Sequence, residues 1–273
     1  MSASRMKNLI ILSLSLCALG LLCAVVPNRL SQTHEQRQML QELKTLYESY
    51  GLSVELNELP RSPALYSVEL SEDGAQAASQ ALLGAKAALA GESGGESTYP
   101  SGLGPLHLTR TGGCSAQLTG GSRVHNYEKA AEKLLRSMDF QYQSLAKEPD
   151  TDGSVRVTAS QTLLGVPIFG SLLELTYRDE HLIQIEGTFY TGGSSITRMS
   201  EQEAISAAGA LAQLLARRDA LGWVGSAVTG LTLGYLPSVL AGTGIRFVPV
   251  WYLETDAGSF YINGITREIT AEK

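Results

Sequence analysis

Residues 126–190 and 200–264 carry the same order of signals, and that repetition constrains the fold more than any other feature of the chain. In the first stretch Asn126 precedes Tyr127, Ala130, Ala131, Leu134, Leu135 and Met138. This is the spacing of an amphipathic helix behind an N-cap. Three strand patterns follow, with Val155/Val157/Ala159, Leu173/Leu175/Tyr177 and Ile183/Ile185/Phe189 alternating with polar residues. Arg178 to His181 supplies a turn between the last two, which predicts an antiparallel hairpin. In the second stretch Ser200 and Glu203 read as a capping box before a helix carrying Ile205, Ala208, Leu211, Ala212 and Leu215. Strands are expected at 227–235, 245–254 and 259–263, the last two joined at Asp256-Ala257-Gly258. The fold class this implies is α+β: small antiparallel sheets, each covered by a helix, in tandem αβββ units at 123–195 and 196–273.

The region 27–122 is less regular. Met39, Leu40, Leu43, Leu46 and Tyr47 mark one face of a helix over 31–50 that Gly51 ends. A short strand is expected at 64–70, an alanine-rich helix at 72–90, a Gly/Ser/Pro loop at 91–104 and strands near 106–109 and 115–118.

Ahead of this region Leu9 to Val26 runs 18 residues without a charge, and Pro27 closes it. At about 1.5 Å per residue it spans roughly 27 Å, enough for a bilayer core. Arg5 and Lys7 precede it, so the positive-inside rule predicts a cytoplasmic tail at 1–8, a transmembrane helix at 9–26 and everything after it outside. A cleaved signal peptide is the competing reading, but the small-x-small pattern near Ala24 is poor, and Cys17 and Cys23 both follow Leu rather than a small residue. Ser13, Cys17, Gly20 and Ala24 share one face of this helix, a small-residue stripe of the kind that lets another helix approach, although short apolar spans also align such residues by chance.

The first 26 residues hold two basic groups and no acidic one, leaving 19 basic against 27 acidic groups in the remainder. That balance argues against nucleic acid or anionic headgroups as the main partner of the remainder. Only Cys114 lies outside the apolar segment, so no disulfide framework is expected there.

The duplicated unit, with Gly165-Val166-Pro167-Ile168-Phe169 before one hairpin and Val248-Pro249-Val250-Trp251 leading to Phe260-Tyr261-Ile262-Asn263-Gly264-Ile265-Thr266, resembles PepSY-type domains. Together with the apolar N-terminal segment, the chain resembles the YycI-type regulatory proteins of Gram-positive bacteria. The resemblance implies a single-pass membrane protein whose extracytoplasmic part, with a sister regulatory protein, modulates a membrane sensor kinase. It implies no catalytic residues and no cofactor, and it gives the small-residue stripe a role against the kinase.

The residues themselves carry little chemistry. His34, His107, His125 and His181 are scattered, and no HExxH or CxxC is present, so no metal site is expected. Gly102-Leu103-Gly104 and Gly242-Thr243-Gly244 read as turns rather than phosphate loops. Asp150-Thr151-Asp152-Gly153 starts like a calcium loop, but Ala159 stands where a bidentate Glu belongs. Gly120-Gly121-Ser122 lacks a nucleophile-elbow setting, and Cys114 reads as a small buried hydrophobe. Trp251, Tyr252, Phe260 and Tyr261 cluster on the terminal hairpin, where alternation sends two to each face: one pair to the core, the other to a contact surface or beneath the neighbouring unit. The expectation is a regulatory binding protein of the cell envelope, not an enzyme. The rivals are a PepSY-like inhibitor of an envelope peptidase and a module that senses a wall fragment or peptide.

Overall fold

The computed structural model describes residues 35–70, 79–80, 82–83, 89–109, 111–190, 196–239 and 245–272. The expected transmembrane span 9–26, with Ser13, Cys17, Gly20 and Ala24, lies outside them. Among the described residues no helix is long and apolar enough to cross a membrane. The architecture is sheet-rich α+β, with sheets that are almost wholly antiparallel. The chain forms two compact units that interleave along the sequence, because strand pairing joins segments far apart in it.

The first unit contains helix α1 (35–49), strand β1 (Ser53–Val54), helix α3 (Ala207–Leu221) and the adjoining ends of strands β13 (Ala227–Val239) and β14 (Ile245–Thr255). Leu40, Leu43 and Tyr47 form the buried stripe of α1, and the Tyr47 hydroxyl donates to the Leu211 carbonyl at 2.8 Å. Gly51 ends α1 at φ +72°, and the Leu52 N–H reaches back to the Tyr47 carbonyl at 3.0 Å. A glycine adopts this left-handed cap without the penalty of a Cβ. β1 pairs in parallel with β13, Ser53 opposite Ala227.

The second helix starts later than the capping-box reading places it, at Ala207, and it buries Ala207, Ala210, Leu211 and Leu214. Ser200 does not cap it. Its hydroxyl accepts from the Ser67 N–H at 3.0 Å and donates to the Gln202 carbonyl at 3.0 Å, while the Glu203 carboxylate accepts from the Tyr66 hydroxyl at 2.5 Å. The N–H groups of Ala204 and Ile205 donate to the Leu65 and Gly264 carbonyls, so this stretch is extended and stitched to distant chain. Partners far away in sequence outcompete the local cap.

The second unit holds the nine-stranded sheet and most of the seven-stranded one. The nine-stranded sheet comprises β3 (Gly91–Ser93), β4 (Glu96–Tyr99), β5 (Leu106–Thr109), β6 (Gly113–Gln117), β7 (Tyr142–Pro149), β8 (Val155–Leu163), β9 (Val166–Pro167), β10 (Leu173–Arg178) and β11 (His181–Thr188). Its order is β3-β4-β5-β6-β11-β10-β8-β7, with β9 paired to β8. Helix α2 (Tyr127–Ser137) starts where expected: the Asn126 side chain accepts from the Lys129 N–H at 2.9 Å. Ala131 and Leu135 of α2 join Val157, Leu173, Leu175, Tyr177 and Ile185 in one hydrophobic core. The β10–β11 turn places Asp179 and Glu180 at φ +50° and +65°, the two positive-φ positions of a primed hairpin turn.

Three strands therefore underestimate this unit. An added strand, β7, follows α2, and 91–117 extends the same sheet through the β6–β11 pair. Of the helix expected at 72–90, residues 79–80, 82–83 and 89–90 are described; the first four are helical, and 89–90 are not. The other sheet runs β1-β13-β14-β15-β16, with β15 (Gly258–Asn263) and β16 (Ile269–Ala271); β2 (Val68–Leu70) pairs with β14 and with β12 (Ile196–Arg198).

Candidate functional site

The C-terminal strands divide the aromatic cluster by their alternation. Trp251 is fully buried and its indole N–H donates to the Ile205 carbonyl at 2.8 Å; Phe260 is 7% exposed on the same face. Tyr252 and Tyr261 fall on the opposite face, half-buried, with ring centroids 5.0 Å apart.

A third ring completes that face. Phe169, at the end of the Gly165–Phe169 segment, lies 5.4 Å from Tyr252 and 5.6 Å from Tyr261 between centroids. Its N–H donates to the Tyr235 carbonyl at 2.8 Å, and Ile168 bridges to Tyr235 in parallel. Gly234 makes this approach possible, since a Cβ there would stand 2.5 Å from the Phe169 ring and 2.6 Å from the Pro167 carbonyl oxygen. Each well-placed aromatic pair stabilises by about 0.5–1.5 kcal/mol beyond its burial.

The Tyr252 and Tyr261 hydroxyls converge on the Glu272 carboxylate at 2.7 and 3.2 Å. Burial first, and the Glu272 charge after it, push the Tyr261 phenol up to about 12. Beside Tyr261 the same face of the sheet opens into a groove of about 190 Å³. Its floor is Leu236, Val248 and Val250, and its rim is Ser238, Asn263, Glu268 and Thr270. The Asn263 side-chain oxygen is committed to the N–H groups of Ile265 and Thr266, both at 2.9 Å.

The aromatic alternation is legible in the sequence, whereas the groove and the place of Phe169 arise only from tertiary contacts. One local signal does point toward them. The unbroken run Phe247-Val248-Pro249-Val250-Trp251-Tyr252-Leu253 in β14 is apolar on both faces and so marks a strand with more to contact than a single core.

Among the remaining candidates, His107, His125 and the acidic turn meet polar partners, whereas His34 lies outside the described residues. His107 lies 2.7 Å from Glu96, and His125 lies 2.9 Å from Glu180. Asp150 pairs with Arg156 at 2.8 Å and Asp152 with Arg178, so guanidinium groups occupy the acidic turn. Asp152 is held below the usual carboxylate range, first by hydrogen bonds from Ser154. Among the described residues no group of three or more His, Cys, Asp or Glu side chains is arranged to hold a metal ion. Cys114 is buried in the core of the nine-stranded sheet, where desolvation pushes its thiol up to about 12. Gly242-Thr243-Gly244 lies outside the described residues.

No family model matches this chain, and no curated protein does. Among solved structures, an uncharacterised protein from Eubacterium rectale is similar over 82% of this chain and 91% of its own, at 10% identity and a TM-score of 0.47. The C-terminal domain of YpeB from Bacillus megaterium is similar over 75% of this chain and 99% of its own, at 15% identity and a TM-score of 0.34.

Proposed function

We propose that this protein is a membrane-tethered regulatory binding protein of the cell envelope, which engages a membrane sensor kinase or a related envelope protein rather than catalysing a reaction. The observation that carries the reading is the two-faced C-terminal sheet. One face is consumed by the Trp251 and Phe260 core, and the other presents the Tyr252–Tyr261 pair and an open groove on rigid strands. Rigid, half-buried aromatics beside an apolar groove with a polar rim are the composition of a protein-recognition surface.

The apolar run Leu9–Val26 supports tethering, and the resemblance of the repeated helix-and-strand units to PepSY-type and YycI-type proteins supports a regulatory role outside the membrane. In this reading the stripe Ser13, Cys17, Gly20 and Ala24 gives a second contact, between helices inside the bilayer.

The test is recovery of partners by the tagged full-length protein from its native membrane in mild detergent, beside a G20L/A24L variant. The reading expects a sensor kinase or a sister regulator with the wild type and less of it with the variant. Recovery of a peptidase, or of no membrane partner, would overturn it.

A further inference from the structure

The groove beside Tyr261 combines an aliphatic floor, an aromatic wall and a single ionisable group at its rim. Leu236, Val248 and Val250 supply the floor, Tyr261 the wall and Glu268 the charge. Among the described residues the Glu268 side chain makes no hydrogen bond or ion pair, whereas the Glu272 carboxylate is already engaged by Tyr252 and Tyr261. At about 190 Å³ the groove is smaller than the roughly 300–1,000 Å³ of small-molecule pockets and suits one long side chain.

We infer that this groove receives a lysine or arginine side chain presented by a protein partner. The chemistry of each wall selects it. A basic side chain lays its methylene stem along apolar surface and keeps its charged head in contact with water or an anion, which matches a floor of Leu236, Val248 and Val250 ending at an exposed carboxylate. Tyr261, which also lines the groove, adds aromatic surface for the stem to pack against. A purely aliphatic side chain leaves Glu268 partly desolvated without a counter-charge, and an acidic one is repelled by it. The excess of acidic over basic groups beyond residue 26 draws cationic surfaces toward this part of the chain. The inference rests on the proposed function and specifies the partner's chemistry.

The experiment uses the full-length protein in detergent, with methyl-labelled Leu and Val, titrated with a blocked pentapeptide that carries one lysine among alanines. Arginine, norleucine and glutamate versions serve as comparison probes. The methyl resonances of Leu236, Val248 and Val250 should move saturably with the lysine and arginine peptides and not with the other two. E268Q, a substitution at an exposed position, should weaken this binding by about fivefold, the effect of losing one exposed charge pair. E254Q, at an exposed carboxylate that does not line the groove, should leave binding unchanged. Absence of saturable movement, equal movement with norleucine, or undiminished binding by E268Q would overturn the inference. Because the probe is a peptide, its failure is separable from failure of the proposed function: a membrane partner captured equally by wild type and E268Q leaves that reading standing without the groove.

Discussion

Gln161 and Tyr190 exchange two hydrogen bonds inside the protein: the Gln161 amide donates to the Tyr190 carbonyl at 2.8 Å, and the Tyr190 N–H donates to Gln161 Oε1 at 2.9 Å. One side chain thus satisfies both backbone groups of a residue whose ring packs edge-on to Phe247 at 5.0 Å. Gln161 is 5% exposed, so water does not readily replace it. Q161L should destabilise the fold by about 3 kcal/mol, because it strands a buried donor and a buried acceptor together. Denaturant unfolding measures this as a lower midpoint at an unchanged slope.

Gly234 sets the seat of Phe169. G234A forces a Cβ into the Phe169 ring and the Pro167 carbonyl, and the segment must lift. A cost of about 1–3 kcal/mol follows from overpacking. Tyr252 and Tyr261 lose their shared neighbour, so near-ultraviolet circular dichroism should change while far-ultraviolet spectra stay close to wild type. An unchanged near-ultraviolet spectrum would refute the three-ring cluster.

Asp256 governs part of the acid limb of stability. Its carboxylate accepts from the Ser226 hydroxyl at 2.6 Å and from the Ser226 and Ala227 N–H groups, and these bonds hold it below the usual carboxylate range. A group whose folded value is depressed contributes stability above its unfolded value of about 3.8 and loses it as pH falls through the folded one. D256N should therefore be less stable than wild type near neutrality, with the difference shrinking below pH 4 in urea midpoints taken across the acid range.

On the alkaline side the sign reverses. Burial raises the thiol of Cys114 from 9.0 to about 12 and, with Tyr261 and Tyr235 also near 12, favours the protonated forms in the folded state. Their contribution is complete below the unfolded values of 9.0 and 10.0 and is lost as pH climbs toward 12. Native Cys114 should resist a thiol reagent at pH 8 and react at once on unfolding. Rapid labelling of Cys114 itself in the native protein, located by peptide mapping apart from Cys17 and Cys23, would contradict its burial.

The sequence reveals elements whose signal is local. The α2 helix is announced by Asn126 and by the Ala131/Leu135 stripe, and the β10–β11 hairpin by its alternation. Strand β7 carries no such pattern: it is an edge strand of Tyr142, Gln143, Ser144, Leu145 and charged neighbours, with most side chains in water. Among the described residues its ladder is to β8 alone, and an edge strand needs no apolar alternation. The Ser200–Glu203 motif misleads for the opposite reason, because Ser67 and Tyr66, remote in sequence, take the groups a local cap would use. Likewise Phe169 meets Tyr252 and Tyr261 only through the tertiary bridge of Ile168 to Tyr235, which no periodicity encodes.

Photo-crosslinking of the full-length protein in native membranes tests whether the groove face meets a partner, with the photoreactive residue placed at Thr270 on the groove rim or at exposed Ser144 on β7. The account predicts an adduct with a membrane protein from Thr270, competed by the lysine pentapeptide, and none from Ser144. An adduct from Ser144 alone, or none from Thr270 in membranes that contain the protein, would contradict it.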